Sequence, residues 1–130
     1  MDIIEYLKFK NFTIPELQKV CFPAGSSVTQ IDYYSLMRLQ KARDYLCEPI
    51  RLTCAFRSVE WDKEHGRNGF SSHCKGKAFD IACRDKRYRF RLICALIRAG
   101  FTRIGVYPTF VHADDDSDKP EIFWITEQQL

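Results

Sequence analysis

Two histidines and one aspartate occur at spacings that suit a metal ion. His73 and Asp80 lie in the stretch SSHCKGKAFD (residues 71–80), and His112 lies in the later stretch YPTFVHAD (residues 107–114). Two imidazoles and one carboxylate form a borderline-soft ligand set that suits zinc. Catalytic zinc typically takes three protein ligands and keeps a fourth position for water, whereas structural zinc is more often closed by four ligands. We therefore predict a Zn²⁺ site of the catalytic type at these three residues.

The residues beside the predicted ligands sharpen this prediction. Asp80 stands in an apolar segment, where a carboxylate is costly unless it is paired or metal-bound. Cys74 follows His73 directly, and neighbours on an extended segment point to opposite sides, so we expect Cys74 to face away from the metal. If residues 110–114 are extended, Asp114 shares a face with His112. Asp114 is thus the candidate catalytic base, with support of the His112 ring as its alternative role.

The pattern Ser-x-His-x-x-Gly-x-Ala-x-Asp with a late histidine resembles the zinc D-Ala-D-Ala carboxypeptidases and murein endopeptidases. The resemblance is greatest to a short single-domain branch that ends in Gly-Val-Tyr-Pro-x-Phe-x-His-x-Asp, here residues 105–114. Residues 56–58, Phe-Arg-Ser, are similar to a Tyr-Arg-Ser element that precedes the first ligand in that family. The resemblance implies that Arg57 grips a peptide carboxylate or carbonyl, and that Ser71 hydrogen-bonds substrate or orients His73. Some relatives carry an acid three residues before the late histidine, where this chain has Thr109, so the base stays open.

These observations predict a zinc metallopeptidase that hydrolyses D-amino-acid-containing bonds in peptidoglycan stem peptides, as a carboxypeptidase or an endopeptidase. The small size would suit a phage lysis enzyme. One alternative is a metal-bearing module that binds cell wall or a protein partner without cleaving it, and Thr109 is its support. A second alternative is a nucleic-acid-binding domain built on the basic run at residues 84–91. That alternative leaves the metal spacing unexplained, and the run coincides with a helix start, so we predict no nucleic-acid partner.

The composition of the chain restricts the class of protein in which these residues can be positioned. The chain has 130 residues, 45% of them hydrophobic and 28% charged, which predicts one domain spanning residues 1–130. The net charge of +3 is too small to favour nucleic acid. The longest apolar run, residues 92–97, is far below the ~20 residues of a membrane span, so no membrane insertion is expected. Residues 1–5 do not resemble a secretion signal, so action at the cell wall would require another route of export or release. A monomer is the default expectation.

The hydrophobic periodicity predicts an α+β fold, with a small, mostly antiparallel sheet that carries the zinc and packs on two main helices. This agrees with the hedgehog and D-Ala-D-Ala peptidase-like fold that the resemblance implies. Residues 50–56 alternate as a strand, with Ile50, Leu52 and Cys54 on one face. The second main helix is predicted to bury Phe90, Ile93, Cys94 and Ile97. The six cysteines are predicted to be free thiols, and the acidic run at 114–118 to be a solvated loop rather than a calcium site. The main helices are expected at about 30–46 and 87–99, shorter helices at 14–20 and 58–63, and further strands at 77–83, 103–106, 110–113 and 122–125.

Overall fold

The structure is a computed structural model, and it describes residues 1–128. This part of the chain contains four α-helices and five strands, and the last three strands follow one another without a helix between them. The helices are α1 (Ile14–Lys19), α2 (Tyr33–Leu46), α3 (Val59–Glu64) and α4 (Lys86–Ala99). The strands are β1 (Leu52–Cys54), β2 (Ala78–Ala82), β3 (Arg103–Val106), β4 (Phe110–Asp114) and β5 (Ile122–Ile125). Three short 3₁₀ helices complete the set, and one of them, Ser72–Lys75, is called the His73 turn below.

The five strands form one sheet in the order β1-β2-β4-β3-β5. All neighbouring pairs are antiparallel except β3 and β5, which run parallel. The predicted α+β class with a small, mostly antiparallel sheet is therefore confirmed. The register sets Asp80 of β2 directly opposite His112 of β4, and His112 opposite Gly105 of β3. Two residues that lie 32 positions apart in the chain thus become cross-strand neighbours.

The two long helices pack against each other and cover one face of the sheet. Asp32 begins α2 by accepting a hydrogen bond from the Ser35 amide, and Asp85 begins α4 in the same way. The predicted buried face of α4 is wrong, because Phe90 is 70% exposed and Ile97 is 57% exposed. The face that is buried carries two alanines, whose small side chains let α2 approach closely. Its buried residues are Leu92, Ala95, Leu96 and Ala99.

Strand β1 is shorter than predicted and has an irregular register. Leu52 pairs with Ile81 and Cys54 pairs with Asp80, so the two-residue repeat is broken between them. Such a bulge re-aims the side chain that follows it. As a result Leu52 packs on the core, whereas Cys54 lines the cleft on the opposite face, and the prediction that they share a face is wrong. Among the helices of residues 1–128, none combines the length and the apolar character needed to cross a bilayer.

Candidate metal centre

The His73 turn presents the first predicted ligand. The Ser71 hydroxyl caps the turn by accepting a hydrogen bond from the His73 amide at 3.2 Å. Gly76 ends it in the left-handed region at φ 72°, and a Cβ there would lie 2.1 Å from the Gln30 carbonyl oxygen. The expected extended conformation at residues 73–74 is therefore wrong. Cys74 does not line the cleft with His73, and burial, followed by the charge of Asp62, raises the pKa of its thiol.

Three predicted ligands meet above the centre of the sheet. Nε2 of His73 lies 3.2 Å from Oδ1 of Asp80, and Nδ1 of His112 lies 3.1 Å from the same oxygen. The two imidazole centroids are 5.2 Å apart, with their planes at 72°. All three side chains are largely shielded from solvent, with exposed fractions of 3%, 14% and 13% for His73, Asp80 and His112. The loop and the strand pair thus place one imidazole on each side of Asp80.

In each ring the nitrogen that points away from Asp80 is called the outer nitrogen below, and its hydrogen bond determines the tautomer of the ring. Nδ1 of His73 lies 2.5 Å from the Ala55 carbonyl oxygen, which can only accept a hydrogen bond. Nε2 of His112 lies 2.6 Å from Oδ2 of Asp114, which is also an acceptor when ionised. Each ring therefore carries its hydrogen on the outer nitrogen when it is neutral. In that state the inner nitrogens, which face Asp80, carry no hydrogen, and each presents a lone pair.

This donor set fits a zinc ion. A nitrogen lone pair that faces a carboxylate oxygen is repelled by it, unless the ring gains a proton or a cation lies between the two groups. In a tetrahedral site with ligands at about 2.0–2.1 Å, neighbouring ligand atoms are about 3.3 Å apart. The separations of Asp80 from the two rings, 3.2 and 3.1 Å, match that spacing. The donor atoms of His73 and His112 are further apart, because His112 is not among the donors that lie within 4.8 Å of one another, so the two rings would have to close in on a bound ion. Outer hydrogen bonds from the ligating rings are also usual at zinc sites.

Cys54 is a fourth possible donor that the sequence did not reveal. Its Sγ lies 3.8 Å from Nδ1 of His73, and Cys54, His73 and Asp80 each offer a ligand atom within 4.8 Å of the others. The nearer nitrogen, however, is the one engaged with the Ala55 carbonyl. Burial, followed by the charge of Asp80, raises the pKa of the Cys54 thiol to about 12. In the metal-free protein Cys54 is therefore a neutral thiol beside the site.

The charges of the centre are strongly coupled. Burial on its own would raise the pKa of Asp80, but the two imidazoles outweigh it and hold the pKa well below the usual range. Burial on its own would lower the pKa of His112, but the hydrogen bonds to Asp114 and Asp80 raise it to about 9. At neutral pH the metal-free centre thus holds a proton on His112 beside an ionised Asp80. A divalent cation would replace that proton.

Asp114 is buried behind His112. Its side chain is 1% exposed and forms an ion pair with Arg103 at 3.1 Å, and its Oδ1 also accepts from the Asp116 amide. Arg103 stands directly opposite Asp114 in the register of β3 and β4. Both oxygens of Asp114 are therefore engaged, one of them with the nitrogen of His112 that points away from Asp80.

Arg57 and Ser71 form a second built cluster beside the centre. The Arg57 guanidinium donates from Nη2 to the Ser71 hydroxyl at 2.9 Å, and its Nε lies 3.0 Å from Oδ1 of Asp62. Asp62 is fully buried, so its charge has to be balanced. The Arg57 amide also donates to the His73 carbonyl at 3.2 Å. The arginine is thus fixed on both sides and directly joined to the His73 turn.

The acidic run after β4 is not the solvated loop that we expected. Asp116 is 1% exposed and accepts hydrogen bonds from Ser72 at 2.8 Å and from Lys75 at 2.9 Å. Asp115 pairs with Arg38 and accepts from Ser35. These carboxylates therefore tie the His73 turn and helix α2 to the end of β4. Lysine and arginine side chains already neutralise them.

The sequence interpretation missed three side chains: Cys54, Asp62 and Arg103. The pairing of Arg103 with Asp114 follows from the β3–β4 hairpin register, so a register prediction would have found it. The position of Cys54 depends on the bulge in β1, for which the alternating sequence gives no signal. Asp62 occupies the last half of a short polar helix, where a buried carboxylate has no pattern of its own.

A large cleft of about 1280 Å³ runs over the centre. Aromatic residues form its walls, with Trp61 and Phe22 on one side and Tyr107, Phe110 and Trp124 on the other. Thr109 also lines the cleft, at the position where some relatives carry an acid. Six basic residues line it: Arg51, Arg57, Arg67, Arg84, Arg103 and Lys119.

The chain was compared with known families and with curated proteins. The family model described as Peptidase M15 matches residues 10–114, which covers both histidines, both aspartates of the centre and Arg57. No curated protein matches the chain.

Proposed function

We propose that this chain, which belongs to the peptidase M15 family of zinc-dependent metallopeptidases, hydrolyses D-amino-acid-containing amide bonds in peptidoglycan stem peptides. The observation that carries the proposal is the approach of two imidazole nitrogens to one carboxylate oxygen, at 3.2 and 3.1 Å. We assign His73, Asp80 and His112 as the zinc ligands. The cut is either terminal or internal, as in a carboxypeptidase or an endopeptidase, and a phage lysis enzyme of the cell wall is the role we favour.

Zinc held there would polarise the scissile carbonyl and lower the pKa of a water molecule beside it. The surrounding residues would supply orientation. Ala55 and Asp114 keep the two imidazoles in the tautomers that leave the inner nitrogens free. Arg57, fixed by Asp62 and Ser71, keeps donors on its remaining terminal nitrogen for a substrate carboxylate or carbonyl.

The assignment of Asp114 follows from its contacts. A general base needs a free acceptor within reach of the water that it deprotonates. Asp114 is 1% exposed, and its oxygens are taken by His112, Arg103 and the Asp116 amide. We therefore propose Asp114 as the residue that positions His112, and we keep its role as a base as the alternative to be tested.

Metal analysis and peptidoglycan hydrolysis test the proposal together. We expect about one equivalent of zinc in the wild type and little in His73→Ala or His112→Ala, because each loses one of three ligands. His65→Ala is the matched control, since it removes the remaining histidine and should keep the metal. Wild type with zinc should release new free amines from purified peptidoglycan, and both ligand variants should not.

The second candidate function is a metal-bearing module that binds cell wall without cleaving it. The observation that favours it is Thr109, which lines the cleft and cannot act as a base. Among residues 1–128, the carboxylates that line the cleft are Asp62, Asp80 and Asp114, and all three are engaged. Zinc-loaded protein that sediments with peptidoglycan but releases no amines would establish this function and refute hydrolysis.

A further inference from the structure

The two ends of the cleft lie on opposite sides of the metal centre. Strand β1 runs antiparallel to β2, so the chain that follows Cys54 passes the start of β2, where the Arg57 amide donates to His73. The other end of β2 carries Arg84, and the Arg51 carbonyl accepts from the Ala82 amide at 2.8 Å. Arg57 and the pair Arg51 and Arg84 are thus separated along the strand direction, with Asp80 between them.

Arg84 belongs to the cleft face of the sheet. Asp80 and Ala82 face the cleft, while Ile81 and Cys83 are buried on the other side. The Cys83 amide donates to the Thr109 carbonyl at 2.9 Å, so the pairing with the β4 side continues to the residue before Arg84. The alternation therefore places Arg84 on the same face as Asp80.

The arginines at the two ends differ in their partners. Arg57 is paired with a fully buried carboxylate, and Arg103 is paired with Asp114. Within residues 1–128, the guanidinium groups of Arg51 and Arg84 have neither an ion-pair partner nor a hydrogen bond, although both line the cleft. Two uncompensated cations in a concave surface attract an anionic group of a ligand.

We propose that Arg51 and Arg84 form a second anion-binding subsite, which selects substrates with an acidic residue on the side of the scissile bond away from Arg57. This inference rests on the proposed peptidase function and adds a substrate class to it. If Arg57 takes the carboxylate that follows the bond, the subsite takes residues that precede it. Arg84 lies four residues beyond Asp80, which is about 13 Å along a strand. An extended peptide advances about 3.3 Å per residue, so the acidic residue lies two to four positions before the bond.

The test uses pairs of peptides that end in D-Ala-D-Ala and carry either Glu or Gln at the second, third or fourth position before the bond. Binding to the zinc-loaded protein is measured by calorimetry, and kcat/KM is measured alongside it. We expect wild type to prefer the Glu peptide of at least one pair about tenfold, and the preference to fall as salt is raised. The double variant Arg51→Gln/Arg84→Gln should lose the preference. Arg87→Gln, on the exposed side of α4, is the control and should keep it.

The two readouts separate failure of the subsite from failure of the proposed function. Equal binding and equal kcat/KM for Glu and Gln peptides in wild type would overturn the subsite, even if both peptides are cleaved. A preference that survives in the double variant would also overturn it. If no peptide is cleaved, a tenfold preference in binding that disappears in the double variant would still support the subsite. Tighter binding of a short single-stranded DNA, lost in the double variant, would assign these arginines to nucleic acid and overturn the proposal.

Discussion

The candidate ligands come from two differently built regions, the His73 turn and the strand pair β2–β4. Asp80 and His112 are held by the register of the sheet, in which they face each other directly. His73 belongs to a four-residue 3₁₀ helix, and its position depends on bonds to several distant segments. The ring hydrogen-bonds to the Ala55 carbonyl, the His73 carbonyl accepts from the Arg57 amide, and the Ser72 hydroxyl donates to Asp116. A ligand on a loop therefore needs its own network of contacts, whereas the backbone pairing of the sheet already positions a ligand on a strand.

The largest effect should come from a substitution at Gly76, where the His73 turn packs closely against the backbone of residues 30–32. In Gly76→Ala the new Cβ would meet the Gln30 carbonyl at 2.1 Å and the Asp32 amide nitrogen at 2.9 Å, at a φ of +72°. Because both contacts are backbone, we expect a loss of about 4 kcal/mol or more in the free energy of unfolding. Gly66→Ala is the matched control. Gly66 also has a positive φ, of 82°, but nothing lies within 4 Å of its Cβ position, so only about 1 kcal/mol should be lost. Equal losses in urea denaturation would mean that the turn is not anchored at residues 30–32.

The second-largest effect should come from the proton on His112, the histidine on β4. The pKa of His112 is raised to about 9 in the metal-free protein, so zinc has to displace a proton below that pH. The apparent zinc affinity should rise about tenfold for each pH unit from 6.5 to 9, and this contribution should level off above 9. The stability of the metal-free protein should change with pH in the opposite direction. Because the folded-state pKa of His112 lies above its unfolded value, the stability that it contributes is complete below pH 6.5 and is lost as pH rises through 9. Competition titrations with a chelator across this range, corrected for the chelator's own protonation, would measure it.

Asp114→Asn tests how much the strand-held ligand depends on its outer hydrogen bond. We expect a 10- to 100-fold loss of zinc affinity, because the amide no longer fixes the His112 tautomer as a carboxylate does. Asp118→Asn is the control, since it removes an exposed carboxylate from the same run and should leave zinc affinity unchanged. Unchanged zinc affinity in Asp114→Asn together with lost hydrolysis would identify Asp114 as a base instead.

The smallest effect should come from Asp116, which secures the turn. Asp116→Asn keeps the shape but loses the charge that binds Lys75, so we expect about 1.5 kcal/mol less stability at neutral pH. Burial would raise the pKa of Asp116, but Lys75 and Ser72 lower it to about 2. A depressed folded-state pKa gives stability that is present above about 3.8 and is lost as pH falls towards 2. The stability difference between wild type and variant should therefore shrink over that range, and a constant difference down to pH 2 would contradict the assignment.

The sequence predicted the architecture well where local patterns and tertiary packing agree. Strands β3 and β5 begin and end where the sequence placed them, and the other main elements differ by one to three residues, apart from the shortened β1. The buried face of α4 was mistaken because two apolar stripes share the helix, and only the approach of α2 decides between them. The two predicted histidines do lie on either side of Asp80, but the sequence could not show what supports them. The bulge beside Cys54, the burial of Asp62 and the ion pairs of the acidic run are all products of long-range contacts.

One packing detail at the edge of the sheet has a practical consequence for measurement. Gly105 has no side chain, and the Trp124 indole occupies the space where a Cβ would lie, which brings its ring to 5.5 Å from that of His112. A protonated imidazole at this distance quenches indole emission, and a neutral one quenches it much less. Trp61 stacks on His65 at 3.7 Å, so its emission would respond to that histidine in the same way, and the variant Trp61→Phe would isolate the signal of Trp124. The protein therefore carries its own optical reporter of whether His112 holds a proton, and no label is needed to follow the filling of the site.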